Sequence, residues 1–355
     1  LLHGIEQFLG CAAPAGARHI QRAARRAGRD PSPAAAALAA AVPPRPVGFC
    51  TGCPERPIFT AMKLVQRELG PLHVSCDIGC HLFSILPPFN IGNTTMGYGL
   101  GAAGAAAFRS DSGKRPLAVM GDGGFWHNGL TSGVGNAVFN RSDQVLVVVD
   151  NGYAAATGGQ DVPSSRTPSA TRSTRHSIET AVRGVGVDWV RVVDRTYDLA
   201  TMRDTLREAL RSPAAGPKVV VAASECMLSR QRREAPRRKR AIAAGERVVQ
   251  DRFGIDPEVC TGDHSCIRLS GCPSLTIRPR ADRSGRPPVA YVDRSCVGCG
   301  LCGEIADVAA LCPSFYRTRV VANPGRWDRF RARVRGAIID WLQRRTEGRR
   351  LRHAF

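Results

Sequence analysis

Between Pro46 and Cys226, short apolar runs alternate with stretches of helical periodicity, and few folds satisfy that pattern. HVSCDI (73–78), LAVMGD (117–122), VLVVVD (145–150), WVRVVD (189–194) and KVVVAAS (218–224) are largely continuous apolar runs. Strands covered on both faces have that character. IFTAMKLVQREL, MGYGLGAAGAAAF, the segment from Trp126 to Asn140 and that from Tyr197 to Leu210 lie between them with helical spacing. The alternation specifies an α/β domain, doubly wound on a parallel sheet. A polar stretch, TGGQDVPSSRTPSATRSTR, follows the third run. Its Gly, Ser and Thr content fits an active-site loop better than a packed element.

Sheets of this kind place their chemistry at the carboxyl ends of the strands. Asp122 ends the second run, and Asp150-Asn151 ends the third. A lone GDG is weak evidence, because any tight β–α turn uses glycine. GDG at 121–123 followed by DN at 150–151 is the spacing of a thiamine-diphosphate motif, with one helix and one strand between them. A hard Mg2+ wants an octahedron of oxygens and commonly bridges protein to phosphate. Asp122, Asn151 and the backbone carbonyl of Tyr153 would supply three, leaving positions for two diphosphate oxygens and a water. Gly121, Gly123 and Gly124 let the backbone approach the diphosphate, and the N-terminus of the following helix favours its charge.

The net charge is +20, from 50 Lys and Arg against 30 Asp and Glu. Such a balance points to an anionic cofactor, an acidic partner or nucleic acid, and it is equally the habit of Arg-rich, high-GC genomes. Nucleic acid is disfavoured: aromatics are only 6% of the chain, and no stacking platform is interleaved with the charge. No run approaches the roughly 18 apolar residues of a membrane span, and the start carries no basic–apolar–small signal pattern. The expectation is a soluble, cytoplasmic protein. LLHGIEQFLGCAAPAGARHI lacks an initiator Met and reads like the end of a helical segment; PSPAAAALAAAVPPRPVG follows as a linker. The chain is therefore expected to be a natural split subunit or a fragment. RQRREAPRRKRA (230–241) reads as a solvated linker more readily than as an anion-binding surface. In the basic segment RWDRFRARVRGAIIDWLQRRTEGRR, Phe330, Val334, Ile338 and Trp341 recur at helical spacing, which suits packing on a partner.

Seven of the 13 cysteines fall between Cys260 and Cys312, which suits metal or cluster ligation rather than disulfides. Cys296, Cys299 and Cys302 are spaced C-x2-C-x2-C, and Cys312-Pro313 follows. A C-x2-C-x2-C run curls around one cubane, and bacterial ferredoxins end the motif in Cys-Pro. Zinc is the rival. Upstream lie Cys260, Cys266 and Cys272-Pro273. In two-cluster ferredoxins the fourth cysteine of each run ligates the other cluster. That rule gives one cluster to Cys296, Cys299, Cys302 and Cys272, and the other to Cys260, Cys266 and Cys312. Asp263 stands where the second cysteine of the upstream run belongs, keeping the register C-x2-D-x2-C. A carboxylate holds iron less well than a thiolate, so this cluster is expected to be labile and to pass readily into a 3Fe-4S form. The alternative is that Asp263 caps a turn and His264, or no residue, completes the site.

CTGCPERPIF, DIGCHLFSILPP, TTMGYGLG, GDGGFWHNGL and DNGYAAATGGQ together resemble the thiamine-diphosphate domain of the 2-oxoacid:ferredoxin oxidoreductases, and most the α-type chains of the indolepyruvate type. The resemblance runs from about Phe49 to Phe315. It implies oxidative decarboxylation of an aryl 2-oxoacid with CoA, giving an acyl-CoA, CO2 and reduced ferredoxin. It also implies a cluster beside the cofactor on Cys50, Cys53, Cys80 and Cys226, making up to three 4Fe-4S clusters; C-x-x-C alone suits zinc or a redox pair as well. Cys76 and Cys11 read as unligated. His127 would lie near the reacting carbon, or it is a capping or surface residue. Such enzymes activate the cofactor with a Glu from a separate pyrimidine-binding domain, and nothing in this sequence offers that domain. Implied partners are that domain or subunit, ferredoxin, CoA and the oxoacid, in a dimer of the full enzyme; residues 1–355 alone should be inactive. The expected organisation is a remnant and linker over 1–45, the cofactor domain over 46–227 and a basic linker over 228–253. A small ferredoxin-like iron–sulfur domain over 254–316 and a basic helix over 317–355 complete it. The rival readings are a non-catalytic electron-transfer protein that kept the fold and a nucleic-acid-binding iron–sulfur protein.

Overall fold

A computed structural model describes residues 47–108, 113–280 and 285–353. Residues 1–45, with Cys11, lie outside the described residues. Five parallel strands form the main sheet: β1 (Val74–Cys76), β2 (Leu117–Gly121), β3 (Val145–Asp150), β4 (Trp189–Val193) and β5 (Lys218–Ala223), in the order β1-β2-β3-β5-β4. All five apolar runs are strands. Alternate residues feed two cores, which is why the runs had to be apolar throughout. Val119, Val145, Val147 and Val220 face one layer; Ala118, Met120, Leu146 and Val219 face the other.

The first layer is built by helices α1 (Arg56–Leu69) and α5 (Leu199–Arg211), which pack on each other. Pro57 sits in the first turn of α1, where a missing N–H costs nothing. Asp198 caps α5 by accepting from Thr201 N at 3.0 Å. The second layer holds α2 (Gly101–Ala106), α3 and α4 (Ile178–Gly184), the last capped by Ser177. Helix α3 follows β2: it is α-helical over Asp122–Gly124, π-wound over Phe125–Gly135 and α-helical again over Asn136–Phe139. Wider π turns are frequent beside functional sites.

The segment expected to be a basic linker is instead helix α6 (Met227–Ala243), with Pro236 inside it. Its arginines make local pairs, Arg230 with Glu234 and Arg233 with Glu225. Only Met227 in it is buried, so no apolar period marks it in the sequence. Strand β6 (Val248–Ile255) then pairs antiparallel with β9 (Phe315–Ala322), and β7 (Leu275–Arg278) with β8 (Val289–Val292). The two short helices of this region are α7 (Ser265–Ser270) and α8 (Leu301–Ile305). Because β6 and β9 pair, the cysteine-bearing unit begins and ends several residues outside 254–316. It is fastened to α1: Thr60 Oγ1 donates to Leu269 O at 2.7 Å and Arg56 Nη1 to Ser270 O at 3.0 Å.

Helix α9 (Arg326–His353) closes the chain. Phe330, Val334, Ile338 and Trp341 are all exposed on it. Among the described residues no helix is long and apolar enough to cross a membrane.

Candidate active site

Strands β2 and β3 are neighbours in register, Gly121 opposite Val149, so the residues that follow them leave the sheet side by side. Asp122 is 1% exposed and Asn151 4%. The Asp122 carboxylate ties the two strand ends together. Oδ1 accepts from Gly123 N at 2.8 Å, and Oδ2 accepts from Gly152 N at 2.6 Å and Tyr153 N at 3.2 Å. Asn151 Oδ1 also accepts from Tyr153 N, at 3.2 Å. Gly152 makes this turn possible: its φ of +82° is a left-handed conformation that side chains resist. Gly123 is needed for space, since a Cβ there would lie 2.4 Å from the Tyr98 hydroxyl.

These residues floor an open cavity of about 250 Å3. Its walls come from the segment after β1 (Gly79, Cys80, His81), from Tyr98 and from the 153–157 turn. The floor carries one buried carboxyl group, that of Asp122. Burial raises the proton affinity of Asp122 well above the ordinary range, and the charge of Asp150 adds to it; the backbone donors at Gly152 and Gly123 pull the other way. Burial also raises Asp150. In the cavity wall, Glu55 Oε2 and His81 Nε2 are buried without a hydrogen-bond partner. Buried acceptors left unpaired cost free energy, and a cation or polar ligand would relieve that cost. The donor set therefore fits a divalent cation with a phosphate-bearing cofactor.

Glu55 and His81 are members of this wall that motif reading missed, although each stands beside a cysteine it singled out, in CTGCPE and DIGCH. Glu55 accepts from Asn151 Nδ2 at 3.5 Å, and its other oxygen lies 3.8 Å from His81 Nδ1. Burial pushes Glu55 up to about 8 and His81 down to about 4. Both groups are then neutral near pH 7, so this is not an ion pair. His127, by contrast, is exposed and absent from the cavity wall. It stacks obliquely on Tyr98, ring centroids 5.2 Å apart, because α3 carries it past the rim.

The cysteines gather as three groups. Cys50, Cys53, Cys80 and Cys226 all line one small cavity, which shares Glu55, Cys80, Asn151 and Ala155 with the first. Cys272, Cys296, Cys299 and Cys302 line another. Cys260 and Cys266 are buried in one apolar cluster, and Cys266 feels the charges of Cys312, Cys260 and Asp263. Burial holds Cys53, Cys80 and Cys302 in the thiol form. Among the described residues no three His, Cys, Asp or Glu converge on one point as a single metal ion requires. Asp263 caps its turn: Ser265 N and Oγ donate to its two oxygens, at 3.1 and 2.9 Å. His264 bonds Pro288 O at 3.0 Å. Cys76 is buried on β1 near Ser84, outside all three groups.

Residues 77–222 match the family of thiamine pyrophosphate enzymes, C-terminal TPP-binding domain. The chain is 31% identical over 287 residues to the indolepyruvate oxidoreductase subunit IorA of Thermococcus kodakarensis, covering 77% of this chain and 41% of that one. It is 33% identical over 283 residues to the IorA of Archaeoglobus fulgidus, covering 78% and 41%. A distant likeness, 20% identical with a TM-score of 0.44 over 52% of this chain and 66% of the other, is to the 2-oxoglutarate:ferredoxin oxidoreductase of Magnetococcus marinus. The chain thus spans about two fifths of the length of the curated relatives it matches. Residues 77–222 are thus a thiamine-pyrophosphate-binding domain, and over more than three quarters of its length the chain is similar to the indolepyruvate oxidoreductase α-type chains.

Proposed function

We propose that this chain supplies the diphosphate and metal site, and the electron path, of an enzyme that oxidatively decarboxylates an aryl 2-oxoacid of the indolepyruvate type. CoA would take up the acyl group, CO2 would leave, and ferredoxin would accept the electrons. The observation that carries the reading is the shared wall: Cys80 and Asn151 line both the Asp122 cavity and the four-thiol cavity beside it. A decarboxylase that moved no electrons would have no use for that adjacency.

Asp122, Asn151 and the Tyr153 carbonyl would hold Mg2+, and Gly121, Gly123 and Gly124 would admit the diphosphate. Thiamine diphosphate, when bound, supplies an electron sink for the carbon that loses CO2. The chain's own part is to position that cofactor and keep its cavity dry. Phe83 and Met227 wall the thiol cavity on its apolar side. Glu55 orients Asn151 through the amide nitrogen, and the amide oxygen, which accepts from Tyr153 N, keeps a second lone pair for the cation. The first two cysteine groups each offer the four thiols of a 4Fe-4S cluster and the third offers three, with Asp263 beside them; thiols that burial keeps protonated become thiolates only on ligation.

Two results would test this. Residues 1–355 alone should show no turnover of indolepyruvate with CoA and viologen, and adding the pyrimidine-binding domain, in cis or in trans, should restore it. Turnover without that domain would show that the activating carboxylate lies within these residues, with Glu55 the first to examine. For the third cysteine group, air-exposed protein should give a three-iron electron paramagnetic resonance signal that Asp263→Cys suppresses. An unchanged signal in the variant would leave Asp263 with its turn alone.

A further inference from the structure

Among the described residues Arg56 is the largest fully buried side chain, 0% exposed, and the proposed function leaves it without a task. Of its five N–H donors one is spent on Ser270 O, while Nε and Nη2 are buried with no partner. Among the described residues no carboxylate pairs with it. Its place is unfavourable as well: it opens α1, where the helix dipole repels a cation. A buried guanidinium with neither counterion nor a full set of acceptors is among the costliest groups a core can hold. Something must compensate it in the working protein.

Arg56 lines the same small cavity as Cys272, Cys296, Cys299 and Cys302. Its charge is felt by Cys299, and also by Cys53 of the group beside the cofactor cavity. Protonated thiols carry no charge and accept hydrogen bonds poorly. Thiolates and sulfides around iron do both, and hydrogen bonds to those sulfurs, with the net charge around them, set a cluster's reduction potential.

We propose that Arg56 is the buried counter-cation of the cluster held by Cys272, Cys296, Cys299 and Cys302, donating Nε–H and Nη2–H to its sulfur atoms. It rests on the reading of these cysteines as cluster ligands. Arg56 is a positioning residue: it stabilises the more negative, reduced cluster and so eases the arrival of an electron from the cofactor side. The residue that bonds Ser270 O is then also a charge felt by both cysteine groups.

The test uses the reconstituted full chain, with iron and sulfide content assayed first and midpoint potentials then read by a titration followed by electron paramagnetic resonance. Arg56→Met should move one midpoint to more negative potential at unchanged iron content. Arg56→Lys, which keeps the charge but loses the fork, should move it less. Thermal unfolding gives a second readout: without iron, Arg56→Met should melt above the parent, because an uncompensated buried charge is gone. Loaded with clusters, the order should reverse. A parent chain that takes up no iron would overturn the cluster reading, and this inference with it. Full iron with unchanged midpoints in Arg56→Met, or an iron-free Arg56→Met that melts below the parent, would overturn the role of Arg56 alone.

Discussion

Asp122→Asn is expected to weaken Mg2+–thiamine diphosphate binding by at least about 100-fold, the loss that follows when one partner of a buried charge interaction is removed. The substitution keeps the shape, and the amide oxygen can still accept from one of the backbone donors at Gly123, Gly152 or Tyr153. Cofactor binding should therefore fall steeply, and the melting temperature should fall by less than in Asp122→Ala, because the amide nitrogen leaves only part of the backbone donor set unpaired. Asp122→Ala should abolish binding, and it should also cost stability by leaving the N–H groups of Gly152 and Tyr153 without their acceptor. Calorimetry on both variants separates the two effects. The parent should show a pH signature as well. Burial and Asp150 hold Asp122 toward its protonated form in the metal-free state, so cation and proton compete. Binding should release protons and tighten as pH rises. An Asp122→Asn variant that binds as the parent does would remove Asp122 from the site.

The site was legible wherever strand and turn chemistry are local. Asp122 and Asn151 can be placed together because two apolar runs end on them and a single helix separates the runs. Glu55 and His81 were not legible in that way. Glu55 belongs to the turn before α1, 96 residues from the Asn151 it contacts, and only the fold brings the two together. The burial of Arg56 was hidden for the same reason, since an arginine after C-x-x-C-P-E reads as an ordinary exposed charge until α7 closes over it. Helix α6 escaped notice for the opposite cause. Its arginines pair on solvated faces and only Met227 is buried, so no apolar stripe records it. The spacing of Cys260, Cys266 and Cys312 conveyed which cysteines would neighbour one another, but not that the oxygens of Asp263 are already engaged by Ser265.

Lys218 opens β5 and reads in the sequence as a polar residue at a strand edge, yet its side chain is fully buried. Its ammonium is held by Asp143, which also accepts from Arg115 Nε at 2.7 Å, and by Gly216 O at 2.9 Å. Replacing Asp143 by Ala leaves the ammonium with one neutral acceptor inside the sheet. Losing one partner of a buried pair costs about 3–5 kcal/mol. Asp143 is itself half exposed, and solvent screening places the expected loss at the lower end, roughly 3 kcal/mol. Lys218→Met in the same background removes the stranded charge and should recover most of that loss, so the double-mutant cycle should be strongly non-additive. The pair should also fail in acid. Burial pushes the Asp143 carboxyl up, but the hydrogen bonds from Lys218 and Arg115 outweigh it and leave the group below its ordinary 3.8. A group depressed in the folded state stabilises above its unfolded pKa and loses that contribution as pH falls through the folded value. The gap in denaturant midpoint between parent and Asp143→Ala should be full at neutral pH and shrink once the pH drops below about 4. A gap independent of pH, or additive single variants, would mean that β5 does not depend on this ion pair.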